Sequence, residues 1–517
     1  MSKTSSTLPA HPAGEQPLVV PTEASGTTTL DTFAGPVRIE WDRSATMTPL
    51  GQLPYFIEFL KVAGLFETWI GDCPLTYTSP NAPEVRDVGG TWMLSILAGH
   101  KRYAHITALR SDGVLPELLG MSRIVSEDSV RRALKAIAGP NGHDWLQRHI
   151  DRCTYPLLTE PYIIDIDTTV KPLYGHQEGA VVSYNPKKLG RPSHVHHTYM
   201  LAGLRLVMGV ETAAGNEHTG AHCTPGLWAL LDRIGRDLWP KLLRGDVGIG
   251  SEGFMREAEQ RNLHYLSKLR LTANVKRLIE RTFANSGWQD AGQGWHGKDE
   301  TLRLVGWSRQ RRVVVLRRRL KDGVVASARD DNNQLRLGFA EIGPSREMYE
   351  YAVFVTSLDA EVLSIAQLYR DRADCENVFD ELKNQWGWGG FTTQDIARCR
   401  LSAQMVALVY NWWNLFVRLA EPDKHLEAIT SRPLLLAAIG ERVRHARQTT
   451  LRVASTHGHA PWAQRVLDAA ARFLRGLIET AEQLTAEQRW FRILSHALRS
   501  WLKGRQLRPP PRLMAAA

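Results

Sequence analysis

The sequence predicts a mixed α/β protein, in which a mixed-sheet core is interrupted by a β-rich insert and flanked by helical N- and C-terminal regions. Three observations carry that reading. From about residue 160 to 275, strand-like and helix-like segments follow in the order strand, strand, strand, helix, strand, helix. That order belongs to a layered α/β domain. Residues 285–345 are strand-rich again, so a second β block interrupts the domain. On either side, apolar residues recur at intervals of three and four, the spacing of amphipathic helices. A chain of 517 residues is also too long for one core.

Residues 1–38 are assigned to a disordered tail, rich in Ser, Thr, Pro and Gly. Gly35–Asp42 alternates like a short strand. Residues 39–155 are read as a helical DNA-binding domain. Leu53–Ile70 and Thr91–Leu109 carry helical periodicity, and Leu115–Gly139 reads as short helix, turn, helix. Ser126 suits an N-cap, and Gly139-Pro140 suits a stop. The exposed side of that last helix would offer Ser129, Arg131, Arg132 and Lys135. A helix-turn-helix DNA reader has this form, and so does any basic surface helix pair.

Residues 156–275 are read as the first part of the core. Pro161–Val170 is an apolar, β-branched run that ends in Asp165 and Asp167, which alternate onto one face. Gly179–Asn185 and His197–Glu211 continue as strands, joined by a basic turn. Thr224–Leu238 is helical. Trp239–Gly250 is a strand running into a Gly-rich turn, the helix Ser251–Asn262 follows, and Leu263–Arg270 is a strand. Residues 276–346 are read as the β-rich insert. Ser286–Gly297 looks like a loop, while Thr301–Ser308, Arg311–Lys321 and Gln334–Ile342 look like strands, with Asp322-Gly323 as a turn. Residues 347–420 return to the core with the strand Glu347–Leu358 and a helix from Tyr369 to Lys383. Residues 421–517 are read as a helical C-terminal region with a frayed end.

Composition narrows the partners. The net charge of +10 and pI near 9.4 favour a polyanion, nucleic acid first. The five cysteines (Cys73, Cys153, Cys223, Cys375, Cys399) are scattered and odd in number. They form no disulfide framework or zinc spacing, which suits a reducing cytosol. The N-terminus lacks the apolar run of a signal peptide. No stretch approaches about 18 uninterrupted apolar residues, so no membrane span is expected.

The chemistry converges on three carboxylates. Successive residues on a helix turn by about 100°, so Tyr369, Arg372, Glu376 and Lys383 share one face of the Tyr369–Lys383 helix. Leu368, Cys375, Val378, Phe379 and Leu382 form the adjoining apolar stripe. An Arg–Glu pair at i, i+4 on a solvated face would also explain that arrangement. Asp167 at one strand end and Asp246 at another change the balance. With Glu376 they could hold two Mg²⁺ ions, which prefer carboxylate oxygens. Ions about 3.5–4 Å apart activate an attacking water or 3′-hydroxyl and stabilise the leaving oxygen of a phosphodiester. Arg372 and Lys383 would then meet phosphate oxygens, and Tyr369 would bond a phosphate or stack on a displaced base.

On these residues the sequence resembles a bacterial insertion-sequence transposase of the DDE type. One large superfamily, that of insertion sequence four, carries the signature Y-(2)-R-(3)-E-(6)-K around its catalytic Glu. Tyr369, Arg372, Glu376 and Lys383 match it at every spacing. The text DIDTTVKPLYGHQEGAVVSYNPKKLGRPSH resembles the first-Asp region of the thirteen-eighty family, where Asp167 corresponds to the catalytic residue. RGDVGIGSEGFM resembles the second-Asp region, with Asp246 matching. The similarity is clearest over about residues 160–390, weaker in the N-terminal helices and thin beyond 420.

The resemblance implies an RNase H-like core with a β-rich insert between the second Asp and the Glu. It implies Mg²⁺-dependent cleavage at transposon ends, with Mn²⁺ as a substitute, and strand transfer by the freed 3′-hydroxyl. The implied partners are double-stranded DNA, as inverted repeats and target, and a second copy of the chain in a synaptic complex. The implied place is the bacterial cytoplasm, at the nucleoid. Relatives with such an insert often release the element through a DNA hairpin helped by an insert Trp; Trp288, Trp295 and Trp307 are the candidates. Two rivals remain: a catalytically inactive, transposase-derived DNA-binding protein, and a metal-dependent nuclease without strand transfer.

Several patterns compete for attention. Gly248, Gly250 and Gly253 spell GxGxxG, but the next strand ends in Lys268, Leu269 and Arg270 rather than an acid, and Asp246 would repel a pyrophosphate. The glycines are read instead as letting the backbone turn beside Asp246. His194, His196 and His197 lack a carboxylate at ligand spacing, so they read as a strand edge or a DNA-backbone feature. Asp165 reads as structural rather than as a ligand. Lys187, Lys188 and Arg191 suit a phosphate track or a solvated strand edge. Arg317, Arg318 and Arg319 suit either a phosphate track or a solvated strand edge guarded by charge.

Overall fold

The structure, a computed structural model, describes residues 27–42, 46–159, 161–185, 188–217, 219–283, 285–320, 327–329, 335–337, 340–342 and 348–508. Residues 1–46 and 47–517 form two separate units. In the first, β1 (Thr28–Thr32) and β2 (Gly35–Ile39) pair as an antiparallel hairpin. Thr32 Oγ1 donates to the Gly35 carbonyl at 2.7 Å, and Gly35 takes a φ of +103°. The hairpin begins inside the stretch read as a tail.

The second unit opens with the short strand β3 (Met47–Thr48). Seven helices follow: α1 (Leu53–Val62), α2 (Leu65–Gly71), α3 (Val85–Leu97), α4 (Ile106–Leu109), α5 (Leu115–Leu118), α6 (Glu127–Ile137) and α7 (Pro140–Thr154). Their apolar stripes bury large rings: Trp69 stacks on Trp145 at 5.4 Å. The expected cap is present, since Ser126 Oγ accepts the Ser129 N–H at 3.2 Å. Val130, Ala133, Leu134 and Ile137 bury one side of α6, leaving Arg132 and Lys135 exposed.

The core sheet is built from β4 (Ile163–Pro172), β5 (Val181–Val182), β6 (Pro192–Leu201), β7 (Leu206–Ala214), β8 (Leu242–Gly245) and β9 (His264–Lys268). Helices α8 (Thr219–Ile234) and α9 (Glu252–Gln260) form the crossovers, and α10 (Ala273–Phe283) leaves the core. β4 is antiparallel to β6 and parallel to β8, and β8 is parallel to β9. β6 lies between β4 and β7, so His194, His196 and His197 are buried in mid-sheet. The strand-edge or DNA-backbone role read for them is corrected.

The strand-rich segment does not stand apart from this sheet. β10 (Gln289–Gly292), β11 (Trp295–Leu302) and β12 (Arg311–Arg319) extend it, because β12 pairs with β16 (Met348–Thr356) and β16 pairs with β9. Two short strands, β13 (Ser327–Arg329) and β14 (Leu335–Leu337), pair with each other, and β15 (Ala340–Ile342) pairs with β16. Ser286–Gly297 is a hairpin and not a loop. Its turn residues Gly292, Gln293 and Gly294 all take positive φ, so glycines that serve the turn hide the strands. Asp322-Gly323 lies outside the described residues.

The chain closes with α11 (Val362–Arg370), α12 (Ala373–Asn384), α13 (Ile396–Ala420) and α14 (Ala428–Leu435). Then come β17 (Gly440–His445), β18 (Gln448–Val453), α15 (Ala460–Glu479), α16 (Ala486–Ala497) and α17 (Arg499–Leu502). The β17–β18 hairpin breaks the helical reading of this region, and β17 also pairs with β3. Interleaved arginines weaken the apolar alternation of these strands and hide them from a sequence reading. α13 is buried nearly all round and packs against β7, where Asn411 bonds both backbone groups of Val207. Among the described residues, no helix is long and apolar enough to cross a membrane.

The buried histidines tie stability to pH. His196 is 2% exposed, with Nδ1 bonded to Thr212 Oγ1 at 2.9 Å. Burial, then Lys171 and His194, push its pKa well below 6.5. The unfolded chain therefore binds the extra proton below about 6.5, and stability falls with falling pH. In urea unfolding, His196→Gln should lose stability less steeply below pH 6.5 than the wild type, by up to about 1.4 kcal/mol per pH unit.

Candidate active site

Asp167, Asp246 and Glu376 converge from three elements. β4 does not end at Asp167 as expected, because its pairing with β6 runs on to Pro172. Its parallel neighbour β8 stops instead, with Gly245 opposite Ile166. Asp167 therefore lies just past the end of β8, and Asp246 is the first residue after that end. Asp246 starts a turn in which its carbonyl accepts the Ile249 N–H at 2.9 Å. The close approach falls on Gly245, where a Cβ would meet Ile249 Cγ1 at 2.6 Å. Gly248 lies inside this turn, as read, without a positive φ; Gly245 supplies the close approach at its start.

The helix read from Tyr369 to Lys383 is two helices. α11 ends at Arg370, Asp371 and Arg372 form a turn, and α12 begins at Ala373. Tight i→i−3 bonds mark the break, Arg372 N–H to Tyr369 O at 3.1 Å and Cys375 N–H to Arg372 O at 2.9 Å. Leu368 is half-buried, while Cys375, Val378, Phe379 and Leu382 pack into the core as expected.

Arg372 is the centre of the cluster. Its side chain is 2% exposed, with Nη2 at 2.5 Å from Asp167 Oδ2 and Nη1 at 3.0 Å from Glu376 Oε1. Burial opposes its charge, but the Asp167 carboxylate leads the groups that hold its pKa above the ordinary arginine range. Asp167 Oδ1 accepts the Thr168 N–H at 2.7 Å. Burial raises the Asp167 pKa; Arg372 and the Thr168 N–H pull it down, while Asp246 and Glu376 add to the rise. Tyr369 donates its hydroxyl to Asp246 Oδ1 at 3.1 Å and stacks its ring on Phe354 at 4.2 Å. Burial, then Asp246, raise the Tyr369 pKa.

Arg372 thus points inward to carboxylates, which corrects the phosphate contact read for it. One face of Tyr369 is covered by Phe354, which limits the base stacking read there. Lys383 is half-buried two turns beyond Glu376, where its charge acts on His196. Lys188 bonds the Tyr174 hydroxyl, and both Lys188 and Arg191 lie 4.8 Å from the exposed Tyr174 ring. Lys187 lies outside the described residues. Arg131 pairs with Glu127 and Asp128 and covers Tyr103 at 5.3 Å, while Arg132 is exposed.

Residues 158–412 match the family described as the transposase DDE domain. The match supports a DDE transposase family for this chain. The cryo-EM structure of a piggyBac transposase synaptic complex with hairpin DNA is similar at 11% identity and a TM-score of 0.37, covering 87% of this chain and 86% of that one. No curated protein matches the chain.

The DDE segment has the donors a hard cation needs, three carboxylates. It already holds a cation among them, the Arg372 guanidinium. Among the described residues, no three His, Cys, Asp or Glu side chains stand close enough to share one metal ion. The donor chemistry fits Mg²⁺, and the present spacing suits the guanidinium.

Each candidate insert Trp carries an arginine. Arg317 lies 3.9 Å from the Trp288 ring centre, Arg318 lies 5.0 Å from Trp295, and Arg311 lies 5.4 Å from the buried Trp307. Arg318 also pairs with Glu350. Arg317 and Arg318 are therefore engaged within the protein, not in an open phosphate track.

Sequence reasoning missed the clamp behind the site. Arg244 on β8 lies opposite Asp165 on β4. Nε and Nη2 meet the two Asp165 oxygens at 2.5 and 2.7 Å, with both side chains 2% exposed. Arg244 also donates to the Leu368 carbonyl in α11. The clamp fixes the Asp167 strand, the Asp246 strand and the helix entering Arg372. Only the Arg244-Gly-Asp246 spacing hinted at it. Arg244→Met strands a buried carboxylate and should cost about 3–5 kcal/mol in urea unfolding, most of it recovered by adding Asp165→Leu.

Proposed function

We propose that this chain is a transposase that cuts the ends of a DNA element and joins the freed 3′-hydroxyl to target DNA, by a cut-and-paste route. The observation that carries the reading is the buried Arg372, which bonds both Asp167 and Glu376, with Asp246 beside Asp167 at the end of β8. The sheet order β7-β6-β4-β8-β9, antiparallel and then parallel, supports an RNase H-like core. The substrate is double-stranded DNA as element ends and target, which the net charge of +10 suits. Bringing two ends together calls for at least two copies of the chain. The setting is the bacterial cytoplasm, at the nucleoid.

In this reading Asp167, Asp246 and Glu376 hold Mg²⁺, with Mn²⁺ as a substitute. Two such ions, when bound, activate the attacking hydroxyl and stabilise the leaving oxygen. The protein orients the donors. The Thr168 N–H fixes one oxygen of Asp167, Tyr369 fixes one oxygen of Asp246, and Arg372 lowers the repulsion among the carboxylates. Glu376 is 67% exposed, so it has room to turn from Arg372 toward a bound ion. Lys383, Lys188, Lys187, Arg191, Arg131 and Arg132 are the proposed DNA contacts.

A second reading, a catalytically inactive DNA-binding protein, is favoured by the same arginine, which takes up two of the three carboxylates. The discriminating measurement is nicking of duplexes that carry the DNA flanking the gene. Wild type should nick them with Mg²⁺ or Mn²⁺. Asp167→Ala, Asp246→Ala and Glu376→Ala should each abolish nicking while duplex binding persists. Wild-type binding without nicking in either metal would establish the second reading.

A further inference from the structure

The β17–β18 hairpin has no part in the site described above, and its surface chemistry is one-sided. Residues 440–453 hold four arginines and one histidine against a single glutamate. The register pairs Glu441 with Arg452, Val443 with Thr450 and His445 with Gln448, so these six side chains share one face. Arg442 and Arg444 are on the other face, with Thr449 and Leu451.

The two faces differ in what they touch. Arg442 and Arg444 both reach Glu117 of α5, at 2.5 and 2.7 Å, and Arg442 donates to the Gly113 carbonyl at 3.2 Å. That face anchors the ribbon to the segment leading into α6. Of the outward face, Glu441, His445, Gln448, Thr450 and Arg452 are exposed, and so is Arg447 at the two-residue turn. Among the described residues, neither Arg447 nor Arg452 has an ion-pair partner.

We propose that this ribbon is a DNA-binding element that lies along the duplex cut at the Asp167–Asp246–Glu376 site. A two-stranded β-ribbon fits the B-DNA major groove. Arginine and lysine on phosphates supply sequence-independent affinity, and Gln, Thr and His are side chains that bond phosphate or base edges. Charge that merely protected an edge strand could be of either sign; here all of it on the outward face and tip except Glu441 is positive. Anchoring through Glu117 uses the inner arginines and leaves the outer ones for the partner. The proposal rests on the transposase reading for the identity of its duplex, but its test does not depend on cleavage.

The test is duplex binding by the full chain across a salt series, using a labelled duplex a few helical turns long and no divalent metal. Removing the cation from one neutralised phosphate lowers the slope of log K against log salt by about 0.9. Arg447→Ala with Arg452→Ala should weaken binding at least tenfold at low salt and lower the slope by about 2. A paired control, Arg465→Ala with Arg475→Ala, removes the same charge from exposed positions on α15 and should leave the slope unchanged. A ribbon variant with the wild-type melting temperature and the wild-type slope overturns the proposal, and so does a control that lowers the slope equally. Failure of wild type to nick any duplex, with the ribbon effect intact, would instead count against the transposase reading alone.

Discussion

A buried guanidinium needs negative charge, and gathered carboxylates need positive charge. Arg372 satisfies both demands at one point. Removed from water, its charge is tolerable only because Asp167 and Glu376 accept its hydrogen bonds. The same contact lets two acids, with Asp246 beside Asp167, share a small volume without driving each other off. Every element of the centre is positioned by this requirement. β4 brings Asp167, α12 brings Glu376, and the turn between α11 and α12 aims the arginine between them. The break between α11 and α12 sets Arg372 against both acids. From that turn Arg372 keeps its i, i+4 bond to Glu376 and also reaches Asp167 on β4.

Around that point the protein uses arginines as internal struts. Arg244 ties β8 to β4 through Asp165 and ties both to α11 through the Leu368 carbonyl. Arg205 bonds Asp374 at 2.9 Å, joining the β6–β7 turn to the first turn of α12. Arg311 reaches Glu252 at 2.6 Å and Glu259 at 2.8 Å from α9. A planar guanidinium bonds two partners in fixed directions, which suits it to join elements distant in sequence. The net positive charge of the chain is thus partly structural. Much of the basic chemistry that looks ready for DNA is already paired within the protein; among the described residues, Arg447 and Arg452 of the β17–β18 ribbon have no ion-pair partner.

The segment between Asp246 and Glu376 shows the same economy. It continues the central sheet through β12 and β16, and β16 leads through α11 into α12, the helix carrying Glu376. That continuity keeps Glu376 in register with Asp167 and Asp246 despite the long intervening chain. Stacking of arginines on Trp288, Trp295 and Trp307 holds the outer strands and fills their aromatic faces.

What the sequence determined by itself was local. Alternation placed β4, β8, β9 and β16; helical periodicity placed α1, α3 and α13; Ser126 marked a cap; and residue spacing singled out Asp167, Asp246, Tyr369, Arg372 and Glu376. These features depend on neighbours within a few residues, and side-chain type and period report them directly. The strands hidden under glycines at 289–297 and under arginines at 440–453 escaped because a local signal was diluted by residues chosen for turns or surface charge. Only the tertiary structure decided which charges meet. Arg372 turns inward rather than toward phosphate, Asp165 is bound by Arg244, and the histidines at 194–197 lie in mid-sheet rather than at an edge. Pairing of buried charges depends on which strands and helices become neighbours, and burial, not spacing along the chain, fixes which partner each charge must have.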